Sequence, residues 1–278
     1  MNYQETFYFI AKCLTISLEE KNRQEIEKQL KSTSIDWDAV VKVSTADFVF
    51  PALYCNLKHV DFLKYLPQEL VSYMLYITNI NRERNKQIIT QAQELNSLLL
   101  VNNITPIFLK GTGNLLTGIY DDIAERMVGD IDFIFSKEDY PKAITVLTKN
   151  GYSFVQKIPY TLPYRHYPIL KKKNRIASIE IHKDFLSIKK YTKEFNYSFV
   201  EKDSQVINGA AVLSYANKLN LSIIANQIND SGFYYKTMAL RNAYDVFLLS
   251  KKTNAKAAVN ALDKLTNPLN CFLAACYE

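Results

Sequence analysis

The fold of this chain is decided by the stretch Gly129-Asp130-Ile131-Asp132-Phe133-Ile134-Phe135. Its apolar residues predict a buried strand, in which successive side chains point to opposite faces. Asp130 and Asp132 therefore leave one face about 7 Å apart along the strand, while Ile131 and Phe133 point into a core. Two neighbouring carboxylates repel each other, and burying either one without a partner costs free energy. They suit a hard divalent cation, which takes several oxygen ligands.

The composition excludes several classes of protein. With 48% hydrophobic and 22% charged residues, the 278-residue chain is typical of a soluble globular protein with a large core. Its low content of Gly (7) and Pro (8) argues against disorder. No run approaches 18 apolar residues, so we expect no membrane span. The N-terminus lacks the basic region and cleavage site of a signal peptide, so we expect a cytoplasmic location.

Cysteine and histidine form no pattern typical of a disulfide framework or a zinc site. The four cysteines are scattered without a CxxC pair, and the three histidines are dispersed. We expect the cysteines to be buried thiols.

Hydrophobic spacing predicts an α+β protein with three regions: helices in residues 1–102, a mixed α/β core in 103–188, and mostly helices in 189–278. A helix from Pro67 to Asn102 closes the first region, and its length leads us to expect a kink or a break. In the core we predict a strand at 104–109, a glycine turn and helix at 110–120, and the strand at 130–135. A helix follows to Asn150 and stops at Gly151. Further strands are predicted at 152–157, 166–170 and 175–182, the last two pairing across a turn at 172–174.

The turn Gly111-Thr112-Gly113 lies between a predicted strand and a predicted helix. Glycines in that position let backbone N–H groups approach a phosphate, and a helix N-terminus favours negative charge. The alternative is a tight turn that simply requires small residues.

A third acid lies in Ile179-Glu180-Ile181-His182. By strand alternation Glu180 and His182 share a face with Ser178. If this strand lies beside the Asp130 strand, Glu180 joins the two aspartates. Three carboxylates around one or two Mg²⁺ ions, or Mn²⁺, suit in-line phosphoryl or nucleotidyl transfer. His182 is expected to be a positioning or packing residue rather than a ligand.

The net charge of +6 is unevenly distributed. The window 163–193 holds nine basic and two acidic residues. A positive field beside a carboxylate-held cation suits a polyphosphate ligand. A solvated hairpin tip around Lys171–Asn174 is the alternative interpretation.

Several of these motifs together resemble a known family. They are Phe108-Leu109-Lys110-Gly111, then Arg126-Met127-Val128-Gly129-Asp130-Ile131-Asp132, a helix ending in Gly151-Tyr152, and Ile179-Glu180-Ile181-His182. The combination resembles a bacterial nucleotidyltransferase family of the DNA polymerase β superfamily, over nearly the whole chain. The segments 81–85 and 240–245 also look like landmarks of that family.

The resemblance implies a polymerase β-like core, a mixed sheet with helices, flanked by the two helical regions. It implies that Asp130 and Asp132 bind metal, that Glu180 is the third carboxylate, and that Gly111 and Thr112 form the phosphate turn. Two departures are present. Thr112 replaces the usual Ser or Gly, and the 17 residues between Thr112 and Asp130 exceed the usual spacer.

Two basic residues flank the turn and the aspartates. Lys110 and Arg126 are hypothesised to contact the triphosphate of a nucleotide, with an ion pair to Asp121, Asp122 or Asp130 as the alternative. Arg241 and Asp245 are four residues apart on a predicted helix and are most simply an intrahelical pair, or they brace the C-terminal helices against the site.

The leading hypothesis is a Mg²⁺-dependent nucleotidyltransferase that moves an NMP from an NTP to an unidentified small molecule, protein or RNA and releases pyrophosphate. A non-catalytic nucleotide-binding or interaction protein on the same fold is the first alternative. The second is an RNA-directed enzyme, such as a tRNA-end modifier or a toxin. Its support is the basic window with Tyr164, Tyr167 and Phe185, since aromatic side chains stack on bases.

Overall fold

The computed structural model of the protein describes residues 1–32, 34–155 and 165–277. The described residues form thirteen α-helices, which are α1 Tyr3–Cys13, α2 Glu20–Ser32, α3 Trp37–Ala46, α4 Phe50–His59, α5 Gln68–Leu100, α6 Lys110–Thr117, α7 Asp139–Lys149, α8 Tyr197–Val200, α9 Tyr215–Ile224, α10 Gly232–Tyr235, α11 Leu240–Ser250, α12 Ala255–Asn260 and α13 Thr266–Tyr277. They also form seven strands, which are β1 Ile107–Phe108, β2 Asp130–Ile134, β3 Ser153–Phe154, β4 Leu170–Lys171, β5 Ser178–His182, β6 Gln205–Ile207 and β7 Ala210–Val212.

The seven strands form one mixed sheet in the order β3-β4-β5-β2-β1-β7-β6. The β2–β5 and β1–β7 pairs are parallel, and the other neighbours are antiparallel. The predicted α+β class is therefore confirmed. So are the pairing of the Glu180 strand with the Asp130 strand and the antiparallel pairing of β4 with β5. Part of the strand predicted at 152–157 lies outside the described residues.

The β6–β7 hairpin is a feature that the sequence analysis missed, because the region after residue 189 was predicted to be mostly helical. Its signal was present in Asn208-Gly209, a dipeptide that favours a tight hairpin turn. Both residues have the required positive φ, 50° and 80°. Because β7 pairs with β1, the sheet extends beyond residue 188. The division of the chain into domains at residues 102 and 188 stays a prediction.

The longest helix, α5, runs for 33 residues without the expected break. Two polar residues in its middle, Asn81 and Asn85, are buried. Asn81 donates to the carbonyls of Ala124 and Arg126, and Asn85 donates to those of Ile123 and Arg126. These bonds satisfy backbone groups of the irregular segment that leads into β2.

The hydrophobic core includes residues from all three predicted regions in one cluster. At its centre, Phe108 of β1 and Phe133 of β2 are fully buried, with ring centres 5.8 Å apart in an edge-to-face arrangement. β2 is thus fixed by its apolar face, which leaves its opposite face for the aspartates. Across the described ranges, we find no helix with both the length and the apolar character needed to cross a bilayer.

Candidate active site

The three predicted acids lie on two adjacent strands. In the parallel register of β2 and β5, Asp132 is the direct neighbour of Glu180, and Asp130 is the neighbour of Ser178. Asp132 is almost fully buried at 2% exposure and Glu180 is buried at 9%. Two carboxylates in such a place require cationic or hydrogen-bonding partners.

Lys110 and His182 provide those partners. The Lys110 ammonium lies 2.5 Å from Asp132 Oδ1 and 3.5 Å from Glu180 Oε2. His182 Nε2 lies 2.8 Å from the same Asp132 oxygen and 3.4 Å from Glu180 Oε2. The ion pair considered for Lys110 in the sequence is therefore present, but its partners are Asp132 and Glu180, which were not among the acids named for it.

The pKa values of the three acids diverge. Burial alone would raise the pKa of Asp132, but Lys110 and His182 outweigh it, so that pKa is lowered. Burial would likewise raise the pKa of Glu180, which is lowered chiefly by the hydrogen bond with His182. For Asp130, burial and then the charges of Asp132 and Glu180 raise the pKa to about 6.

The donor set fits a divalent cation. Asp132, Glu180 and His182 each offer one ligand atom, and these three atoms lie within 4.8 Å of one another. Two carboxylate oxygens suit Mg²⁺ or Mn²⁺. Among the described residues, Asp130 is not part of this compact group, although it leaves the same face of β2.

His182 remains, as the sequence analysis expected, a candidate positioning residue rather than a metal ligand. Its Nδ1 is buried and has no hydrogen-bond partner in the described part of the chain. A metal-bound histidine usually donates its second N–H to an acceptor. The unpartnered Nδ1 therefore favours a histidine that donates from Nε2 to Asp132 and orients that carboxylate.

The predicted glycine turn is helical, which corrects the interpretation of 111–113 as a loop between strand and helix. Helix α6 already begins at Lys110, and its first intrahelical bond joins Gly113 N–H to the Leu109 carbonyl. Lys110 adopts a positive φ of 47°, which is unusual for a residue with a side chain. A Cβ on Gly113 would lie 2.7 Å from the Phe108 carbonyl oxygen, and one on Gly111 would lie 2.9 Å from Val128 Cγ2. Both glycines are thus needed for close packing.

The start of α6 lies against the aspartates. Thr112 is fully buried, and its hydroxyl donates to the Asp130 carbonyl at 3.0 Å. Leu109 N–H donates to the Asp132 carbonyl at 2.9 Å. The backbone N–H groups of 110–112 precede the first intrahelical bond and point out of the helix N-terminus, where an anion is favoured.

Arg126 is held away from solvent by a partner that the sequence analysis did not assign to it. Its Nε lies 3.1 Å from both carboxylate oxygens of Asp245, and its Nη1 donates to the Met127 carbonyl at 2.8 Å. Tyr120 also donates to Asp245, at 2.7 Å. Asp245 is therefore engaged by Arg126 and Tyr120, and the intrahelical pair expected between Arg241 and Asp245 is wrong.

A positioning residue that the sequence analysis did not assign lies on α5. Arg84 donates from Nε to the Val128 carbonyl at 3.2 Å and from Nη2 to the Gly129 carbonyl at 3.3 Å. It fixes the backbone immediately before Asp130. Its only sequence signal was its place in the segment 81–85.

The basic window 163–193 is only partly described, and Tyr164 lies outside the described residues. Lys171 and Lys173 are exposed at the hairpin. Phe185, considered for base stacking, is instead buried against Phe195 with ring centres 4.7 Å apart. This removes one aromatic group from the case for an RNA-binding surface.

Comparison with known proteins identifies one family for this chain. A family model described as "Uncharacterised nucleotidyltransferase" matches residues 33–277. No curated protein and no solved structure matches the chain. The chain therefore belongs to the family of uncharacterised nucleotidyltransferases and is a transferase of that class.

Proposed function

We propose that the protein has a polymerase β-like core and transfers an NMP from an NTP to an acceptor, with Mg²⁺ or Mn²⁺ as cofactor. The observation that carries this proposal is the pairing of Asp132 with Glu180 on parallel strands, beside Asp130 and the N-terminus of α6. Carboxylates and a helix N-terminus in one place offer a cation site and an anion site side by side.

In the proposed reaction, an acceptor oxygen or nitrogen forms a bond with the α-phosphorus, and the bond between the α- and β-phosphates breaks. Pyrophosphate leaves with the electron pair, and the proton of the acceptor goes to a carboxylate and then to water. Asp130, Asp132 and Glu180 would hold the metal, with Glu180 as the alternative proton acceptor. When bound, the metal would neutralise the polyphosphate and polarise the α-phosphate.

The other residues have supporting roles in this proposal. His182 orients Asp132 through the 2.8 Å hydrogen bond. Lys110 lies between the carboxylates and the start of α6, where its ammonium can meet phosphate oxygens. The backbone N–H groups of Gly111 and Thr112 would contact phosphate, whereas the Thr112 hydroxyl is already engaged. Arg126, paired with Asp245, holds the segment before β2 in position.

The test is transfer of label from α-³²P NTPs in the presence of Mg²⁺ or Mn²⁺, with pyrophosphate release measured in parallel. We expect activity in the wild type and a loss of at least about 100-fold in Asp132→Asn and Glu180→Gln, since each loses a metal ligand. Matched controls are Asp38→Asn and Glu138→Gln, whose side chains are exposed. Equal transfer by Asp132→Asn and the wild type would refute the assignment.

The same experiment distinguishes the alternatives. Mg²⁺-dependent NTP binding without transfer to small molecules, proteins or RNA would identify a non-catalytic nucleotide-binding protein. Transfer confined to RNA, with a steep salt dependence of RNA binding, would identify the RNA-directed enzyme.

A further inference from the structure

Arg241, the second residue of α11, has no acidic partner within 4 Å among the residues that the structure describes. Its Nε is buried and has no hydrogen-bond acceptor in the described part of the chain, and Arg241 takes part in none of the ion pairs found there. Its Cζ lies 5.0 Å from the ring centre of Phe48, so the cation is stacked on an aromatic face. A partly buried cation without an acceptor costs free energy unless a ligand supplies one.

The nearest acid on its own helix does not neutralise it. Asp245 lies one turn further along α11, but its carboxylate accepts from Arg126 Nε at 3.1 Å and from Tyr120 at 2.7 Å. Asp47 lies close as well, and its Oδ1 accepts the Leu240 N–H at 3.0 Å. The carboxylates of Asp245 and Asp47 therefore already accept hydrogen bonds from other groups.

Arg241 lies near Asp130, one of the three candidate acids. Burial and then the Arg126 charge lower the pKa of Arg241, while Asp245, Asp230 and Asp130 lie near enough to oppose that shift. Arg126 in turn packs against the first turn of α6, because its Cζ is 3.7 Å from the position of a Cβ on Gly111. Arg126 therefore lies against the N-terminus of α6, and Arg241 lies near enough to Arg126 to be affected by its charge.

The aromatic support of Arg241 is fixed by the backbone. Phe48 adopts a positive φ of 59°, which is a strained conformation for an aromatic residue. The hydrogen bond from Leu240 to Asp47 ties the start of α11 to this segment. The stacking surface and the guanidinium are therefore held together before any ligand binds.

We propose that Arg241 binds the polyphosphate of the nucleotide substrate, with a phosphate oxygen as the acceptor that its Nε lacks among the described residues. A guanidinium presents several N–H groups in one plane and matches phosphate oxygens in pairs. The inference rests on the proposed nucleotidyl transfer and adds a residue that neither the family match nor the carboxylate cluster assigns.

The test is calorimetry on the full chain with Mg²⁺ and a non-hydrolysable analogue of each NTP. The matching nucleoside and inorganic phosphate are titrated separately. We expect Arg241→Met to weaken binding of the preferred analogue about 10- to 100-fold and to leave nucleoside binding unchanged. The melting temperature is expected to be unchanged or higher, because the variant removes a partly buried cation whose Nε has no acceptor among the described residues. Arg23→Met is the matched control, since Arg23 pairs with Glu20 on α2.

The other outcomes overturn the proposal in distinguishable ways. Wild-type affinity for the analogue in Arg241→Met refutes the role of Arg241 and leaves the proposed transfer intact. Equal losses for analogue and nucleoside also refute it, because they indicate a damaged fold or a base contact. If Arg241→Met keeps its affinity for the analogue but loses binding of inorganic phosphate, Arg241 contacts a phosphate group of the acceptor and not the polyphosphate of the nucleotide.

No binding of any analogue by the wild type refutes both the proposed transfer and this inference. If Arg241→Met does not fold, Arg241→Lys keeps the charge but loses the planar donors. It should still weaken analogue binding several-fold, and unchanged affinity would overturn the proposal.

Discussion

Arg126 and Asp245 form a buried ion pair that joins the segment before β2 to helix α11, 119 residues further along the chain. The Arg126 Nε lies 3.1 Å from each carboxylate oxygen, and the two side chains are 8% and 3% exposed. Burial would lower the pKa of Arg126, but Asp245 outweighs it and raises that pKa, so the guanidinium remains charged. The ion pair thus fixes the segment before β2 to helix α11.

Asp245→Asn should lower the free energy of unfolding by about 3–5 kcal/mol, because it leaves the Arg126 charge buried without a carboxylate. Replacing both residues, as in Arg126→Met with Asp245→Asn, should recover part of that loss. Urea denaturation measures both effects. The matched control is Lys251→Met, since the exposed pair of Lys251 with Glu19 should contribute at most about 1 kcal/mol.

Two outcomes would contradict this account of the pair. A loss of less than about 1 kcal/mol in Asp245→Asn would show that the pair does not hold the two segments together. If the double variant regains stability but binds no NTP, Arg126 contacts the triphosphate directly, as the sequence analysis hypothesised.

Gly113→Ala should destabilise the protein by about 1–3 kcal/mol, since its Cβ would lie 2.7 Å from the Phe108 carbonyl oxygen, which belongs to a buried strand. Gly129→Ala is the matched control, because a Cβ there meets no atom within 4 Å. Thermal unfolding measures both. If Gly113→Ala keeps wild-type stability and loses only NTP affinity, the glycine serves phosphate approach and not packing.

The sequence predicted the acids but not their partners, and the reason is physical. Strand alternation has a period of two, so Asp130, Asp132 and Glu180 could be assigned to one face from local spacing. The contact of Lys110 with Asp132 depends on a positive φ at Lys110, which no local pattern requires of a lysine. The Arg126–Asp245 pair depends on packing across 119 residues. The one charge pair chosen by helical spacing, Arg241 with Asp245, was wrong because Arg126 and Tyr120 bind Asp245 instead.

Glu125 should make stability depend on pH between about 4.5 and 7. Burial raises its pKa from 4.5 to about 7, despite hydrogen bonds from Tyr244 at 2.6 Å and from the Asp122 N–H at 3.0 Å. Because the folded state holds the proton more tightly, this stabilisation is complete below pH 4.5 and is lost as pH rises through 7. The difference corresponds to about 3 kcal/mol.

Chemical denaturation at pH 5, 6, 7 and 8 checks this for the wild type and Glu125→Gln, which cannot ionise. The difference in unfolding free energy between the two should change with pH in favour of Glu125→Gln as pH rises. Glu138→Gln is the control, because Glu138 is exposed. A difference that is constant from pH 5 to 8 would contradict the raised pKa. Glu125 also lines a cavity of about 580 Å³, so a ligand bound there would alter the same titration.

Lys110→Met should increase the rise in melting temperature that divalent cations cause. The Lys110 ammonium lies 2.5 Å from Asp132 Oδ1 and competes with a cation for that oxygen. Its removal should lower the free energy of unfolding in EDTA by about 1–3 kcal/mol, since among the described side chains only His182 would still bond the Asp132 carboxylate.

Mn²⁺ should then raise the melting temperature of Lys110→Met more than that of the wild type, because binding to the folded state stabilises it by mass action. NTP affinity should fall, since a cation facing the phosphates is lost. Lys142→Met is the matched control, because Lys142 pairs with Asp139 at an exposed position. If Mn²⁺ shifts both proteins equally, the ammonium does not compete for Asp132, and the metal is held by carboxylate oxygens that Lys110 does not touch.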